Sequence, residues 1–314
     1  MAIGIDPKVD FAFKLVFGSP DHTRITIHFL NAVLNLPRPI TWVDILNPIQ
    51  GKDHSEDKLI VLDVLAADLD GRRFNIEMQT TIPVDLPKRL TYYNCINYIR
   101  QLSEGEPYHE LRPAISICVL DRVLFPNTDE FHLSFRVRCD QRDLVFSDDL
   151  VFHTLELPKY ELGGHNREEF GPLEKWLYFL KHAEGLNAVE LAEQLVDDEY
   201  REAVGVLEMI SKSPEDRQFY EARMKYLHDE EARLLAAIAR GHEQGHEQGH
   251  EQGREQGREE GREEGREEGS LVGKIQLMQQ LLGDKEDSTA ELLQRGSDEL
   301  TKLLSDLQDR LRSR

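Results

Sequence analysis

The first half of the chain alternates short apolar runs with amphipathic stretches, a pattern that predicts strands and helices in succession. Within residues 59–79, two apolar runs flank Asp70 and Gly71, and an Asp-Gly pair in that position predicts a β-hairpin. Other apolar runs predict strands at residues 41–49, 113–120, 131–139 and 151–157. Helices are predicted to begin at Asp6 and Pro7, and to span residues 24–34 and about 88–102. Helices between strands at this spacing predict an α/β sheet.

The second half of the chain, from residue 163, has a helical pattern only, with helices predicted at residues 173–180, 188–196, 200–210 and 216–240. Residues 241–269 repeat a four-residue unit of glycine followed by His-Glu-Gln, Arg-Glu-Gln or Arg-Glu-Glu. Each glycine costs a helix about 1 kcal/mol relative to alanine, and Glu–Arg pairs one turn apart recover only a few tenths. A lone helix here would be marginal, but its glycine stripe would allow a partner helix to pack closely.

Three histidines of the repeat, His242, His246 and His250, have the spacing of metal ligands on a helix. Arginine takes the same position later in the repeat, which favours a solvated polar face over a metal site. Two apolar seams follow, each with the spacing of a short coiled coil: Leu271, Ile275, Met278 and Leu282, then Leu300, Leu304, Leu307 and Leu311. These seams would pair with each other or with another subunit, and we predict a homo-oligomer formed through this C-terminal helical tail.

The formal charge of −21 argues against general binding to nucleic acids, because phosphate contacts are made by lysine and arginine. The charge is uneven, however, since residues 1–160 carry −6 and residues 161–314 carry −15. The first part is nearly balanced, and metal-bound acids would balance it further. The second part is unsuited to contact with DNA.

Cysteine use and hydrophobicity indicate the compartment. Cys95, Cys118 and Cys139 lie more than 20 residues apart, so no Cys-x-x-Cys pair points to a structural zinc site. A sparse, odd number of cysteines suits a reducing cytosol. Charges near the N-terminus interrupt any signal-peptide core, and no apolar run approaches the roughly 20 residues of a membrane span. We expect a soluble cytoplasmic protein without a membrane segment.

Two acids interrupt the apolar runs of the predicted hairpin: Asp63 in the first run and Glu77 in the second. A carboxylate in a buried strand is costly unless something pairs with it. Two carboxylates on adjacent strands, with the backbone carbonyl of Met78, would form an oxygen site suited to Mg²⁺ or Mn²⁺. Ordinary ion-paired strand residues are the alternative for both acids.

Asp63 followed by Glu77-Met78-Gln79 resembles the Asp…Glu-x-Lys signature of the PD-(D/E)XK nucleases. The chain is most similar to the branch described as Rpn-type recombination-promoting nucleases, or PD-(D/E)XK family transposases. Further segments follow in the order of that branch, over about the first half of the chain: residues 10–18, Phe29-Leu30-Asn31, Ile76 to Gln79, Arg89, Tyr92-Tyr93, residues 108–113 and 156–159.

The resemblance implies a restriction-endonuclease-like fold, a mixed central sheet flanked by helices, here followed by an all-helical C-terminal part. It implies a nuclease domain at residues 1–160, to which the sequence adds a helical extension at 161–240, the repeat at 241–270, helical or flexible, and the leucine-seam tail at 271–314. It implies a Mg²⁺-dependent (or Mn²⁺-dependent) DNA endonuclease linked to recombination or transposition-like processes. A catalytically weak DNA-binding protein or an oligomeric interaction protein on the same scaffold is the alternative.

The resemblance also assigns roles to residues. The metal ligands would be Asp63, Glu77 and the Met78 carbonyl, and the catalytic residues would be Asp63, Glu77, Gln79 and Asp10. Gln79 departs from the signature, because glutamine can orient a water but cannot supply the positive charge of lysine. The missing charge would come from a neighbouring helix, and the DNA-binding candidates are Lys14, Lys88 and Arg89.

The register of the hairpin decides whether a metal site is possible. A two-residue Asp70-Gly71 loop would place Asp63 and Glu77 on opposite faces, whereas a three-residue loop would set Asp63 opposite Glu77. The second register also pairs apolar residues on the other face, and burial favours it because a one-residue slip exchanges the faces. We therefore predict Gly71 at positive φ, with both carboxylates on one face beside the helix that carries Asp10.

Overall fold

The computed structural model describes residues 2–46, 49–50, 60–61, 63–160 and 170–313. Its strands, in chain order, are β1 (Val43–Leu46), β2 (Ile49–Gln50), β3 (Ile60–Val61), β4 (Val64–Asp68), β5 (Arg73–Gln79), β6 (Ala114–Leu120), β7 (His132–Arg138) and β8 (Val145–Glu156). Six of them form a mixed sheet in the order β1-β4-β5-β6-β8-β7, and β2 pairs with β3 separately. The charged loop at residues 51–58 and Leu62 fall outside the described residues.

The helices are α1 (Asp10–Phe17), α2 (Thr23–Leu34), α3 (Leu86–Ile99), α4 (Pro172–His182), α5 (Ala188–Gln194), α6 (Asp198–Lys212), α7 (Pro214–Leu282), α8 (Thr289–Leu293) and α9 (Ser297–Arg312). Strands β5, β6 and β8 are parallel, while β1, β4 and β7 pair antiparallel with their neighbours. This arrangement of a mixed sheet between helices, followed by helices only, confirms the predicted fold class. No helix in the described ranges is long and apolar enough to cross a membrane.

Several predicted element limits differ from the structure: the helix predicted at 216–240, for example, is part of α7, which continues to Leu282. The first helix begins at Asp10 and not at Asp6, because the Asp6 carboxylate accepts the Lys8 N–H at 2.9 Å in a local turn before the helix. The last strand begins at Val145 and not at residue 151, because its first part continues the pairing with β7 as far as Val145 opposite Arg138.

The two faces of the sheet differ in polarity, as the alternation of side chains along a strand requires. One face carries apolar residues such as Phe74, Ile76 and Ile117, and it packs in one large core with α1 and α2. The other face lies under α3 and mixes apolar with buried polar residues. This second group comprises Leu65, Asn75, Glu77, Ser116, Cys118 and Thr154.

Helices α4, α5 and α6 and the first part of α7 share the large core with the sheet. Trp176 of α4 is fully buried, with its ring centroid 5.3 Å from that of Phe17 and 4.6 Å from that of Tyr200. Its indole N–H donates to Nδ1 of His28 at 3.0 Å. The helical extension therefore completes the hydrophobic core that α1 and one face of the sheet form.

The chain divides into two compact units, Met1–His228 and Asp229–Arg314. Helix α7 contains the whole glycine repeat, and every residue at positions 228–267 is exposed. In the second unit the two leucine seams pack against each other through Ile275, Leu282, Leu300 and Leu304. Of the two pairings predicted for the seams, the structure has the one within the chain.

Candidate metal-binding site at the end of the β4–β5 hairpin

The hairpin has the register predicted from burial. Val64 lies opposite Ile76 and Ala66 opposite Phe74, which places these apolar pairs on the core face. Gly71 has φ 78°, so a three-residue loop with a left-handed glycine closes the hairpin, as predicted. Continuing the same register by one residue sets Asp63 opposite Glu77.

Asp63 lies just before β4, where its carboxylate takes the place of a backbone carbonyl as a hydrogen-bond acceptor. Oδ2 accepts the backbone N–H of Met78 at 2.9 Å, so the side chain extends the ladder of β5 after the regular strand pairing has ended. Oδ1 lies 3.4 Å from Nζ of Lys14, which reaches it from α1. Burial raises the pKa of Asp63, the Met78 N–H and Lys14 lower it, and the nearby charge of Asp10 raises it again.

Glu77 is 3% exposed and faces α3. Oε2 accepts a hydrogen bond from Nε2 of Gln79 at 3.3 Å, and Oε1 has no hydrogen-bond partner among the described residues. Burial, and after it the charge of Asp63, raise the pKa of Glu77 to about 8, although Asn75 and Arg89 act in the opposite direction. Asp63 and Glu77 are neighbours across the hairpin, because continuing its register by one residue sets them opposite each other.

The carboxylate pair lies where β4 begins and β5 ends, between the helices that cover the two faces of the sheet. Helix α1, which carries Asp10 and Lys14, packs on the apolar face of the sheet, and α3 covers the face of Glu77. The prediction that both carboxylates lie beside the helix of Asp10 is therefore correct for Asp63 and wrong for Glu77. Asp63 lies just before β4, where Lys14 of α1 reaches its carboxylate at the end of the strand, whereas Glu77 lies within β5 on the face that α3 covers. The hairpin register, extended by one residue, still sets the two acids opposite each other.

The remaining candidates take different positions. Asp10 accepts a hydrogen bond at 2.7 Å from Nε of Arg223, which belongs to α7. Arg89 of α3 lies over the ring of Tyr93, 5.7 Å from its centroid, and its charge lowers the pKa of Glu77. Lys88 is exposed at the start of α3. The structure thus places Lys14 in contact with Asp63, and it places Arg89 where its charge lowers the pKa of Glu77.

The donor set fits a hard divalent cation. Two buried carboxylates whose negative charges repel each other would gain from a cation between them. Within the described ranges no group of three or more His, Cys, Asp or Glu side chains is arranged to hold a metal ion. A cation at this hairpin would therefore need ligands beyond the two carboxylates, such as the Met78 carbonyl or water.

Two residues near the carboxylates were not predicted from the sequence. No feature of the sequence pointed to Arg223, because its contact with Asp10 joins residues 213 positions apart. Asn75 had a signal in the sequence, since it lies two residues before Glu77 in a buried strand and therefore on the same face.

The sequence model of the family described as PD-(D/E)XK nuclease family transposase matches residues 7–237. The match includes the six-stranded sheet, the carboxylate pair and the helices up to the first part of α7, which is well over half of the chain. Neither a curated protein nor a solved structure matches the sequence. The chain belongs to the PD-(D/E)XK nuclease family transposases.

Proposed function

We propose that the protein is a metal-dependent DNA endonuclease that hydrolyses phosphodiester bonds. The observation that carries this proposal is the pair of buried carboxylates, Asp63 and Glu77, at the ends of adjacent strands. Burial and the charge of Asp63 raise the pKa of Glu77 to about 8, so the charged pair is unfavourable without a cation. Membership of a nuclease family supports the same reaction class.

Asp63, Glu77 and the Met78 carbonyl would hold Mg²⁺ or Mn²⁺. When bound, such a cation lowers the pKa of a water molecule and offsets the charge that develops on the phosphate. The Met78 N–H holds Oδ2 of Asp63 in place, and the amide of Gln79 holds Oε2 of Glu77. These two hydrogen bonds orient the carboxylates before any ligand arrives.

Lys14 supplies the positive charge that Gln79 lacks. Its ammonium contacts Asp63, and its side chain remains about one-third exposed, so it can also contact a substrate phosphate. Arg89, near Glu77, is a second phosphate contact. Lys88 precedes it at the same end of α3, where it is exposed to solvent and can contact DNA. Asp10 acts as a water-positioning residue whose charge Arg223 offsets.

DNA is the substrate that the family suggests, in recombination or transposition-like processes. A DNA contact is assigned to the first part of the chain because its charge of −6 opposes phosphate less than the −15 of the second part. The three cysteines, Cys95, Cys118 and Cys139, are all free, which supports a cytoplasmic protein.

Cleavage of supercoiled plasmid in the presence of Mg²⁺ tests the proposal. Asp63→Ala and Glu77→Ala should each reduce cleavage by at least about 100-fold, since each removes a metal ligand. Without metal and above about pH 8, where Glu77 ionises, both variants should be as stable as the parent or more so, because each removes the repulsion between the two carboxylates. A large loss of stability in both would indicate structural ion pairs and would contradict the proposal.

Asp68→Ala is a matched control from the same hairpin. Asp68 is also a buried acid, but its carboxylate accepts the Arg72 N–H at 2.9 Å and pairs with the guanidinium of Arg72 at 2.6 Å. Its loss should lower stability by about 3 kcal/mol, as expected for a broken buried pair, without abolishing cleavage by the folded protein.

An oligomeric interaction protein is the second candidate function. Residues 228–267 of α7 are exposed throughout and include Leu234, Leu235 and Ile238, which are more than half exposed. Because the leucine seams already pack within the chain, a homo-oligomer formed through the tail would use this exposed segment of α7. The two functions are separable, since one depends on the carboxylates and the other on the helix.

A further inference from the structure

Buried polar atoms cluster beside Glu77 on the face of the sheet that α3 covers. Asn75, Ser116 and Asn94 are at most 1% exposed. Asn75 precedes Glu77 by two residues on β5, and Ser116 is its neighbour on β6. Among the described residues, both polar atoms of the Asn75 amide, the Ser116 hydroxyl, Oδ1 of Asn94 and Oε1 of Glu77 lack a hydrogen bond of regular geometry.

A buried polar group without a partner costs roughly 1–3 kcal/mol, so a cluster of such groups is not accounted for by packing alone. The atoms have complementary needs. The Asn75 amide has two donor hydrogens, and Oε1 of Glu77 is an unpartnered acceptor on the same face of the same strand.

We infer that Asn75 is a positioning residue for Glu77: its amide donates to Oε1 and fixes the plane of the carboxylate that receives the metal ion. Gln79 donates to Oε2, so amides at positions 75 and 79 hold the carboxylate from both sides along the strand. Ser116 adjoins Asn75 through the strand pairing, and its hydroxyl donates to Oδ1 of that amide. This inference rests on the proposed metal site and concerns what orients one of its ligands.

The physical consequence is a smaller cost of metal binding. A carboxylate that is already oriented loses less rotational freedom when it binds a cation. Apolar replacement of residue 75 should therefore weaken metal affinity without unfolding the chain, because it also removes a buried amide that lacks a regular partner.

The test compares Asn75→Val with Asn75→Thr in the full chain, since these side chains have nearly the same shape and differ in one hydroxyl. The probe is Mn²⁺ alone, titrated into metal-free protein by calorimetry, with thermal unfolding measured in parallel. Asn75→Val should weaken Mn²⁺ affinity by about 10-fold or more, and Asn75→Thr should recover part of that loss because its hydroxyl can donate to Glu77. Ser116→Ala should give a smaller loss.

Asn94→Val is the control. The Asn94 amide donates to the carbonyls of Ala114 and Val151 at 3.0 and 3.2 Å, so its loss should lower the melting temperature and leave the affinity for Mn²⁺ unchanged.

If the unsubstituted protein binds no Mn²⁺, the proposed metal site is wrong, and the inference fails with it. If it binds Mn²⁺ and Asn75→Val binds equally well, the metal site stands and the role of Asn75 is refuted. If Asn75→Val does not fold, the Mn²⁺ affinities of Ser116→Ala and Asn75→Thr test the inference instead, and unchanged affinity in both overturns it.

Discussion

Replacing Glu77 by glutamine should remove a pH-dependent loss of stability from the metal-free protein. The carboxyl of Glu77 has a pKa raised to about 8, first by burial and then by Asp63, against an ordinary value of 4.5. Between these values the folded state keeps a proton that the unfolded state releases. The folded state therefore binds more protons, and the free energy of unfolding falls as pH rises through this window.

The magnitude follows from the two values. A rise from 4.5 to about 8, at about 1.4 kcal/mol per pH unit, amounts to ~5 kcal/mol when Glu77 is fully ionised in both states. That is a large part of the 5–15 kcal/mol by which a domain is typically stable. Glutamine has nearly the same shape as the protonated acid and can still accept the hydrogen bond from Gln79, but it does not ionise.

The assay is urea unfolding of metal-free protein in the presence of EDTA at several pH values from 5 to 9. The unsubstituted chain should lose ~4 kcal/mol over this range relative to Glu77→Gln, a difference that reports the titration of Glu77 together with its effect on the adjacent Asp63. Asp68→Asn is the control, because it changes an acid of the same hairpin that already has its partner in Arg72. Parallel stability curves for the unsubstituted chain and Glu77→Gln would refute the reasoning about the buried carboxylate.

Four further outcomes are expected. Gly71→Ala should cost about 1–2 kcal/mol in urea unfolding, because φ is 78°, and Gly71→Asn should cost less; equal losses would contradict this. Burial lowers the pKa of His153 from 6.5 to about 4, so stability should fall by ~3 kcal/mol as pH drops through that window. His153→Gln should lack this acid-dependent loss, and an unchanged acid midpoint would argue against it. Lys14→Met should reduce cleavage by at least about 10-fold while Mn²⁺ affinity holds or rises, since Lys14 competes for Asp63; full cleavage would exclude its role. Removal of the chain from Asp229, which deletes the exposed segment of α7, should give a smaller oligomer in sedimentation, and two species of equal oligomeric state would disprove association through the tail.

The register of the hairpin could be predicted from sequence because the relevant forces are local. Only one of two registers buries Val64 with Ile76 and Ala66 with Phe74, and only that register calls for a left-handed residue at Gly71. The position of Asp63 opposite Glu77 then follows without knowledge of the rest of the fold.

The surroundings of the carboxylates depend on contacts that no local pattern encodes. Arg223 reaches Asp10 across 213 positions, because α7 packs into the core of the first unit. The apolar spacing of the leucine seams fitted two partners equally well, and the choice between them depends on the turn at Gly283, φ 72°, that returns the chain on itself. Periodicity predicts which face of a helix is buried, but not which surface covers it.

The departure at Gln79 has a physical explanation in this arrangement of layers. A lysine at position 79 would lie on the face of Glu77, and in its place Gln79 donates a hydrogen bond to that carboxylate. Positive charge instead reaches Asp63 from Lys14, on the helix that covers the other face. On our proposal the two tasks of the missing lysine are thus divided: an amide orients one carboxylate, and an ammonium on a long flexible stem accompanies the other. Because Lys14 is anchored on α1 and not on a strand of the sheet, its ammonium can move from Asp63 to a phosphate without disturbing the hydrogen bond from Met78 that holds Asp63.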